Sequence, residues 1–280
     1  MDRWLGFLIE PLSYPFMLRG LIAAVMVGVV CAVSGTYVVL RGMAFLGDAL
    51  AHAILPGIAV GYLLSGGERQ AIFWWGLGTA VLTALGIGTI GKRARIREDT
   101  AIGIIFASMF ALGIALISTV RSYAVDLAHF LFGNVLGISA RDLWLTGALG
   151  GLVLLTIIAL YKEFLIISFD PILAVTLRLP SGFLDHLLLV LIALTTIVAL
   201  QAVGVALMVA MLITPAATAY LLSNRLPTMM LLAALIGAFS GVAGLYLSYY
   251  VNVASGAAIV LVSTATFMLV LLFTRHRRSA

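Results

Sequence analysis

Asp48 and His52 stand four residues apart inside a long apolar stretch, R-G-M-A-F-L-G-D-A-L-A-H-A-I-L-P-G, which begins at Arg41. On a helix, residues i and i+4 share a face one turn apart. A carboxylate oxygen and an imidazole nitrogen on one face suit a divalent first-row cation: carboxylate favours harder ions such as manganese, and imidazole suits zinc and iron. Two ligands are too few for a tight resident site. They fit a transit site, where an ion must bind well enough to enter and loosely enough to leave, with further ligands from other helices or from carbonyls. The plainer alternative puts Asp48 in a loop and has His52 cap or pack against a neighbour. Gly42 and Gly47 before the pair, and Pro56-Gly57 after it, predict broken or bent helix geometry. A membrane tolerates such backbone where it lines a cavity. Pro56 also frees the carbonyl of His52 from its usual helix bond, and that carbonyl could face the same path.

A second acidic pair, Glu98-Asp99, follows the basic run Lys92–Arg97 and opens an apolar stretch. Acids there complement a helix dipole, so a capped helix start is the plain reading and a gating role, Glu98 above all, is the functional one. Gly86-I-Gly88-T-I-Gly91-Lys92 fits both G-x-G-x-x-G and G-x4-G-K. Both patterns need a preceding strand and a water-accessible α/β domain. These glycines lie at the end of an apolar run, and Arg93 stands where a phosphate loop needs Ser or Thr. We therefore read them as helix packing and expect no ATP site in this chain. His129, His186 and His276 each stand apart and read as solvated. No serine of the G-x-S-x-G type accompanies Asp48 and His52, so an intramembrane hydrolase lacks its nucleophile.

The elements that must position these residues follow from composition. The chain has 280 residues, 63% hydrophobic and 10% charged, against about half and about a quarter in soluble domains. That composition describes an all-α polytopic membrane protein, read as one transmembrane domain over residues 1–280. A spanning helix needs about 20 mostly apolar residues. Nine runs qualify: Phe16–Leu40, Met43–Leu64, Ala71–Gly91, Ala101–Val120, Leu143–Tyr161, Phe183–Leu200, Gln201–Leu222, Thr228–Tyr250 and Gly256–Thr274. The runs around Asp48 and around Gln201–Pro215 carry breakers, so eight true spans fit as well as nine. Within Arg121–Asp142, the apolar piece Phe130–Ile138 is too short to span. Ionisable residues inside such runs are costly and mark sites by default. The single Cys31 rules out a disulfide framework or thiolate cluster, and the first residues lack the basic and small-residue features of a removable signal peptide.

If the runs alternate, 11 of the 16 Lys and Arg residues fall on one side. The positive-inside rule makes that side cytoplasmic, together with the C-terminus and the loops Lys92–Asp99 and Lys162–Gly182. The modest positive charge therefore reads as topology, not as nucleic-acid binding. Gly237-x3-Gly241, Ser240-x3-Gly244 and Gly147-x3-Gly151 are read as close helix packing within the chain. Lys162–Gly182 is expected to be a loop with a short helix of its own. Asp170 would cap it with Pro171 in its first position, and Ala174, Val175 and Leu177 would form an apolar face with nothing to bury against unless a partner docks.

Taken together these stretches resemble the permease subunit of bacterial ABC importers for manganese, zinc and iron. The likeness is carried by Arg41–Gly57, R-E-D-T-A-I-G-I at Arg97–Ile104, F-G-N-V-L-G at Phe132–Gly137 and Asp170-Pro171 with Ala174. It extends through Q-A-V-G-V-A-L-M-V-A-M-L-I-T-P-A-A-T-A at Gln201–Ala219 and S-G-A at Ser255–Ala257. The resemblance implies a multi-pass protein of the bacterial inner membrane that works as a homodimer. Its partners would be two cytoplasmic ATP-binding cassette subunits and an extracytoplasmic metal-binding protein. Asp48 and His52 would line the metal path, and the short helix, with Asp170, Pro171, Ala174 and Leu177, would couple to the ATPase. The cargo leans to Mn2+ over Zn2+ or Fe2+, with no resident cofactor. Where the family's coupling loop often has Gly before Leu-Pro, this chain has Arg178. A proton-coupled secondary transporter and a purely structural membrane subunit are the rival readings.

Overall fold

A computed structural model describes residues 10–94, 96–119 and 135–278. His129, the His276 side chain, most of Arg121–Asp142 and the first three residues of Phe132–Gly137 lie outside this description, as does the start of the chain. The described residues form helices α1 (Pro15–Leu40), α2 (Leu46–Ala53), α3 (Leu55–Ser65), α4 (Arg69–Ala94), α5 (Glu98–Ser118) and α6 (Ala140–Ala159). They continue as α7 (Tyr161–Phe169), α8 (Pro171–Thr176), α9 (Ser181–Val203), α10 (Val205–Leu222), α11 (Leu226–Val251) and α12 (Ser255–Arg278). By length and composition, nine segments among them can cross a membrane, α2 and α3 counting as one.

Local chemistry explains most boundaries. Pro56, Pro171 and Pro227 sit in first turns, where no intrahelical amide bond is lost. Pro215 lies inside α10 without ending it. The seventh apolar run does not begin at Gln201 as its hydropathy predicts. Gln201–Val203 complete α9, and Gly204, at φ 83° and ψ 170°, divides α9 from α10 in a region open essentially to glycine alone. The Lys162–Gly182 segment is also more ordered than a loop. Most of its first half is the helix α7, because Phe164 is fully buried with its ring edge-on to Tyr37, centroids 5.8 Å apart.

Contacts group the chain into two compact units. In the first (residues 1–36, 132–152 and 198–280), α10, α11 and α12 pack on one another. Small residues let backbones meet: a Cβ on Gly28 would lie 2.8 Å from the Gly237 carbonyl oxygen, and one on Gly241 would lie 3.1 Å from that of Ala24. Gly147 packs against Met26, whereas its spacing partner Gly151 meets open space. In the second unit (residues 37–131 and 153–197), α2, α3, α4 and α5 pack together and α8 folds onto α7. The glycines at 86, 88 and 91 all lie within α4, not in a phosphate-type loop. A Cβ on Gly88 would meet Leu189 at 3.0 Å and His186 at 3.1 Å.

Candidate functional site

The segment bearing Asp48 and His52 begins with a left-handed stop. The α1 helix closes through Met43 N–H to Val38 O (2.9 Å) and Gly42 N–H to Val39 O (3.1 Å), with Gly42 at φ 71°. This is the paired-bond ending that glycine favours past a helix C-terminus. The chain restarts at Leu46 as an eight-residue helix with Asp48 in its first turn and His52 in its last. Ile54 alone separates α2 from α3, so the bend expected from Pro56 is present. The His52 carbonyl, denied an amide at Pro56, receives the N–H of Ile54 instead.

His52 Nδ1 lies 3.0 Å from the Asp48 carbonyl oxygen and 3.6 Å from Asp48 Oδ1. A carbonyl only accepts, so Nδ1 carries the proton and donates, and Nε2 keeps its lone pair. Ligating histidines are commonly held in this way, with the second nitrogen donating to a carbonyl or carboxylate. The side chains are 29% and 38% exposed for His52 and Asp48, which leaves both accessible within a segment whose neighbours are buried. The imidazole is set by two rings of α5: Phe106 and Phe110, at 6.2 and 5.8 Å, stand at 90° and 73° to it. Those rings stack on each other at 5.6 Å, and Phe45 meets Phe106 edge-on. The bend is seated by two close approaches. A Cβ on Gly113 of α5 would fall 2.6 Å from Leu55 Cβ, and one on Gly57 would fall 2.5 Å from the Trp75 carbonyl oxygen. Among the described residues, no third His, Cys, Asp or Glu joins the pair to form a metal-sized cluster.

Glu98 and Asp99 open α5 after Arg97, whose side chain makes no cap bond. Asp99 faces Arg97 at 3.8 Å in an exposed pair worth little. Glu98 instead lines a cavity of about 630 Å³ with Arg41, Lys92, Ser168, Ala174 and Asp185. Asp170 caps α8 as its sequence predicts, its Oδ1 accepting the Leu173 N–H at 2.9 Å, with Pro171 first in the helix. Ala174 departs from expectation: it is fully buried in this chain, while Ile172 (81%), Val175 (70%) and Leu177 (52%) carry the exposed apolar surface. Arg178 takes the left-handed position that glycine often holds, at φ 55°. It closes α8 through Leu179 N–H to Ala174 O and its own N–H to Val175 O.

Three further arrangements escape sequence reasoning. Arg41 donates from Nε to Ser168 Oγ (3.1 Å) and from Nη2 to Asp185 Oδ1 (3.0 Å), and Lys92 Nζ meets Asp185 Oδ2 at 2.7 Å. The only signal in the sequence is a lone carboxylate at the start of an apolar run. His186 is engaged rather than merely solvated, with Nδ1 against Gly182 O (2.6 Å) and Nε2 against Thr89 Oγ1 (3.2 Å). Ser139 and Asp142 form a reciprocal cap at the start of α6, and the Gln201 amide donates to Asp142 Oδ1 at 3.2 Å. A Ser-x-x-Asp spacing before an apolar run foretells the cap, but nothing local foretells Gln201.

A manganese transport system membrane protein, MntC, of Halalkalibacterium halodurans is 48% identical over 98% of this chain and 92% of its own length. A chelated iron transport system membrane protein, YfeD, of Yersinia pestis is 38% identical over 98% of this chain and 90% of its own. The solved structure of PsaBC from Streptococcus pneumoniae in complex with Fab superposes with a TM-score of 0.80 at 41% identity, covering 95% of this chain and 94% of that one. The ABC 3 transport family profile matches residues 13–274, from the start of α1 almost to the end of α12. This multi-pass membrane protein, built on a bent helix that presents one carboxylate and one imidazole, belongs to the ABC 3 transport family.

Proposed function

We propose that the chain is the permease subunit of an ATP-driven importer of divalent transition-metal ions, with manganese as cargo and zinc or iron as alternatives. The observation that carries this reading is the Asp48–His52 pair, a hard oxygen and an oriented imidazole lone pair side by side on one accessible helix face. The names of the relatives, manganese before iron, support the order of metals. All 280 residues act as one permease domain. Two copies form a homodimer in the bacterial inner membrane with the C-terminus in the cytoplasm, as the distribution of Lys and Arg supports.

The dimer works with two ATP-binding cassette subunits and an extracytoplasmic metal-binding protein. The exposed apolar residues of α8, Ile172, Val175 and Leu177, meet the ATPase, with Asp170 fixing the start of that helix and Pro171 and Ala174 completing it. Glu98 and Asp99 stand at the cytoplasmic side, where Glu98 in the cavity wall is suited to gate release. ATP binding and release in the partners rocks the helices, and the ion passes Asp48 and His52 inward. In proteoliposomes holding the full complex, Asp48→Ala and His52→Ala should each lower radiolabelled manganese uptake by at least about tenfold, the scale of losing a metal-site partner. Unlabelled manganese should compete better than zinc or iron. Wild-type uptake by both variants would remove the pair from the path, and stronger competition by zinc would reassign the cargo.

A further inference from the structure

Arg41 sits where three elements meet. It follows the last residue of α1, and its side chain is only 8% exposed. Its guanidinium reaches Ser168, next to last in α7, and Asp185, in the first turns of α9. Asp185 uses its second oxygen for Lys92 of α4, whose ammonium lies 3.4 Å from the Gly182 carbonyl. The guanidinium holds Nε and Nη2 in one rigid plane, so its two anchors are met from fixed directions, whereas an ammonium gathers its donors on a single atom and keeps no such fixed spacing.

The placement of the anchors along the chain gives this network its meaning. Ser168 lies two residues before Asp170, whose carboxylate fixes the first turn of α8. On the other side, Arg41 is followed directly by Gly42, the left-handed turn that leads into the helix of Asp48 and His52. The same network lines the cavity whose wall includes Ala174 and Val175 of α8. A displacement of α8 therefore reaches Ser168 through a capped junction, then the guanidinium, and then the turn before the metal helix. A buried guanidinium that loses an anchor is left under-paired, which resists slippage along this route.

We infer that Arg41 is a positioning residue that links α8 to the Asp48–His52 helix, with Ser168 and Asp185 as its two anchors. This rests on the reading that α8 meets the ATPase. The test reconstitutes the chain with its ATPase and binding protein in liposomes and measures ATP hydrolysed and radiolabelled manganese accumulated in one sample. Ser168→Ala removes only the hydroxyl anchor, and Arg41→Lys keeps a charge for Asp185 while losing the fork. Both should keep manganese affinity and hydrolysis, while manganese moved per ATP falls by about two- to thirtyfold, the range expected when coupling along a physical network is cut. An unchanged ratio in both variants overturns the link, and so does a parallel fall in uptake and hydrolysis, which marks a merely structural role. If Arg41→Lys fails to assemble, Ser168→Ala decides alone. Failure of wild-type uptake to follow ATP defeats the ATPase reading itself, whereas ATP-driven wild type with unchanged variants defeats only the link.

Discussion

At the scale of single residues, the state of His52 follows from one hydrogen bond. Because Nδ1 donates to the Asp48 carbonyl, the nitrogen free to meet a cation is Nε2. That nitrogen binds metal only when unprotonated, so a proton and the ion compete for one lone pair. Phe106 and Phe110 matter at the same scale, since rings set across the imidazole limit its rotation without competing for the ion.

At the scale of elements, the bent helix pair α2–α3 depends on what lies behind it. Pro56 explains why the helix breaks, and Gly113 explains where the broken piece rests. A Cβ at position 113 would sit 2.6 Å from Leu55 Cβ and 3.2 Å from Pro56 Cδ, both close to the backbone and unable to swing aside. Gly113→Ala should therefore destabilise the protein by about 1–3 kcal/mol, the usual cost of overpacking. Thermal unfolding in detergent would measure the loss, and an unchanged midpoint would mean that α3 and α5 are not seated as described. Arg178 offers a contrast. It shows that a left-handed helix ending can be held by a residue other than glycine when two closing bonds, to Ala174 and Val175, secure it.

At the scale of the whole molecule, the energy source separates the proposed importer from its nearest rival. A secondary transporter would use Asp48 and His52 as a proton relay and need no partner. An ABC importer needs ATP and tolerates collapse of the proton gradient. Cells or vesicles given an uncoupler while ATP is maintained should keep most of their manganese uptake, and should lose it when ATP is removed. The reverse pattern would establish the proton-coupled reading. The exposed apolar residues of α8 belong to this scale too, since Ile172, Val175 and Leu177 stay exposed among the described residues.

The sequence by itself determined what is local and periodic. Run length and composition located the spanning helices, with boundaries shifted by a few residues, and the i, i+4 rule put Asp48 and His52 on one face. Asp170 and Pro171 announced α8 because a cap needs only its own next three residues. Hydropathy puts Gln201 in the wrong helix because it does not register the backbone angles that Gly204 adopts. Tertiary structure alone decided which partners meet. Arg41 reaches Ser168 across 127 positions and Asp185 across 144, and Phe106 and Phe110 arrive beside His52 from another helix. The physical reason is the solvent. In lipid, a leucine facing the bilayer and a leucine facing a neighbouring helix are equally content, so apolar patterning does not say which faces touch. Only the packed chain shows which faces the small residues bring together, and hence which polar groups, few and far apart in sequence, find one another.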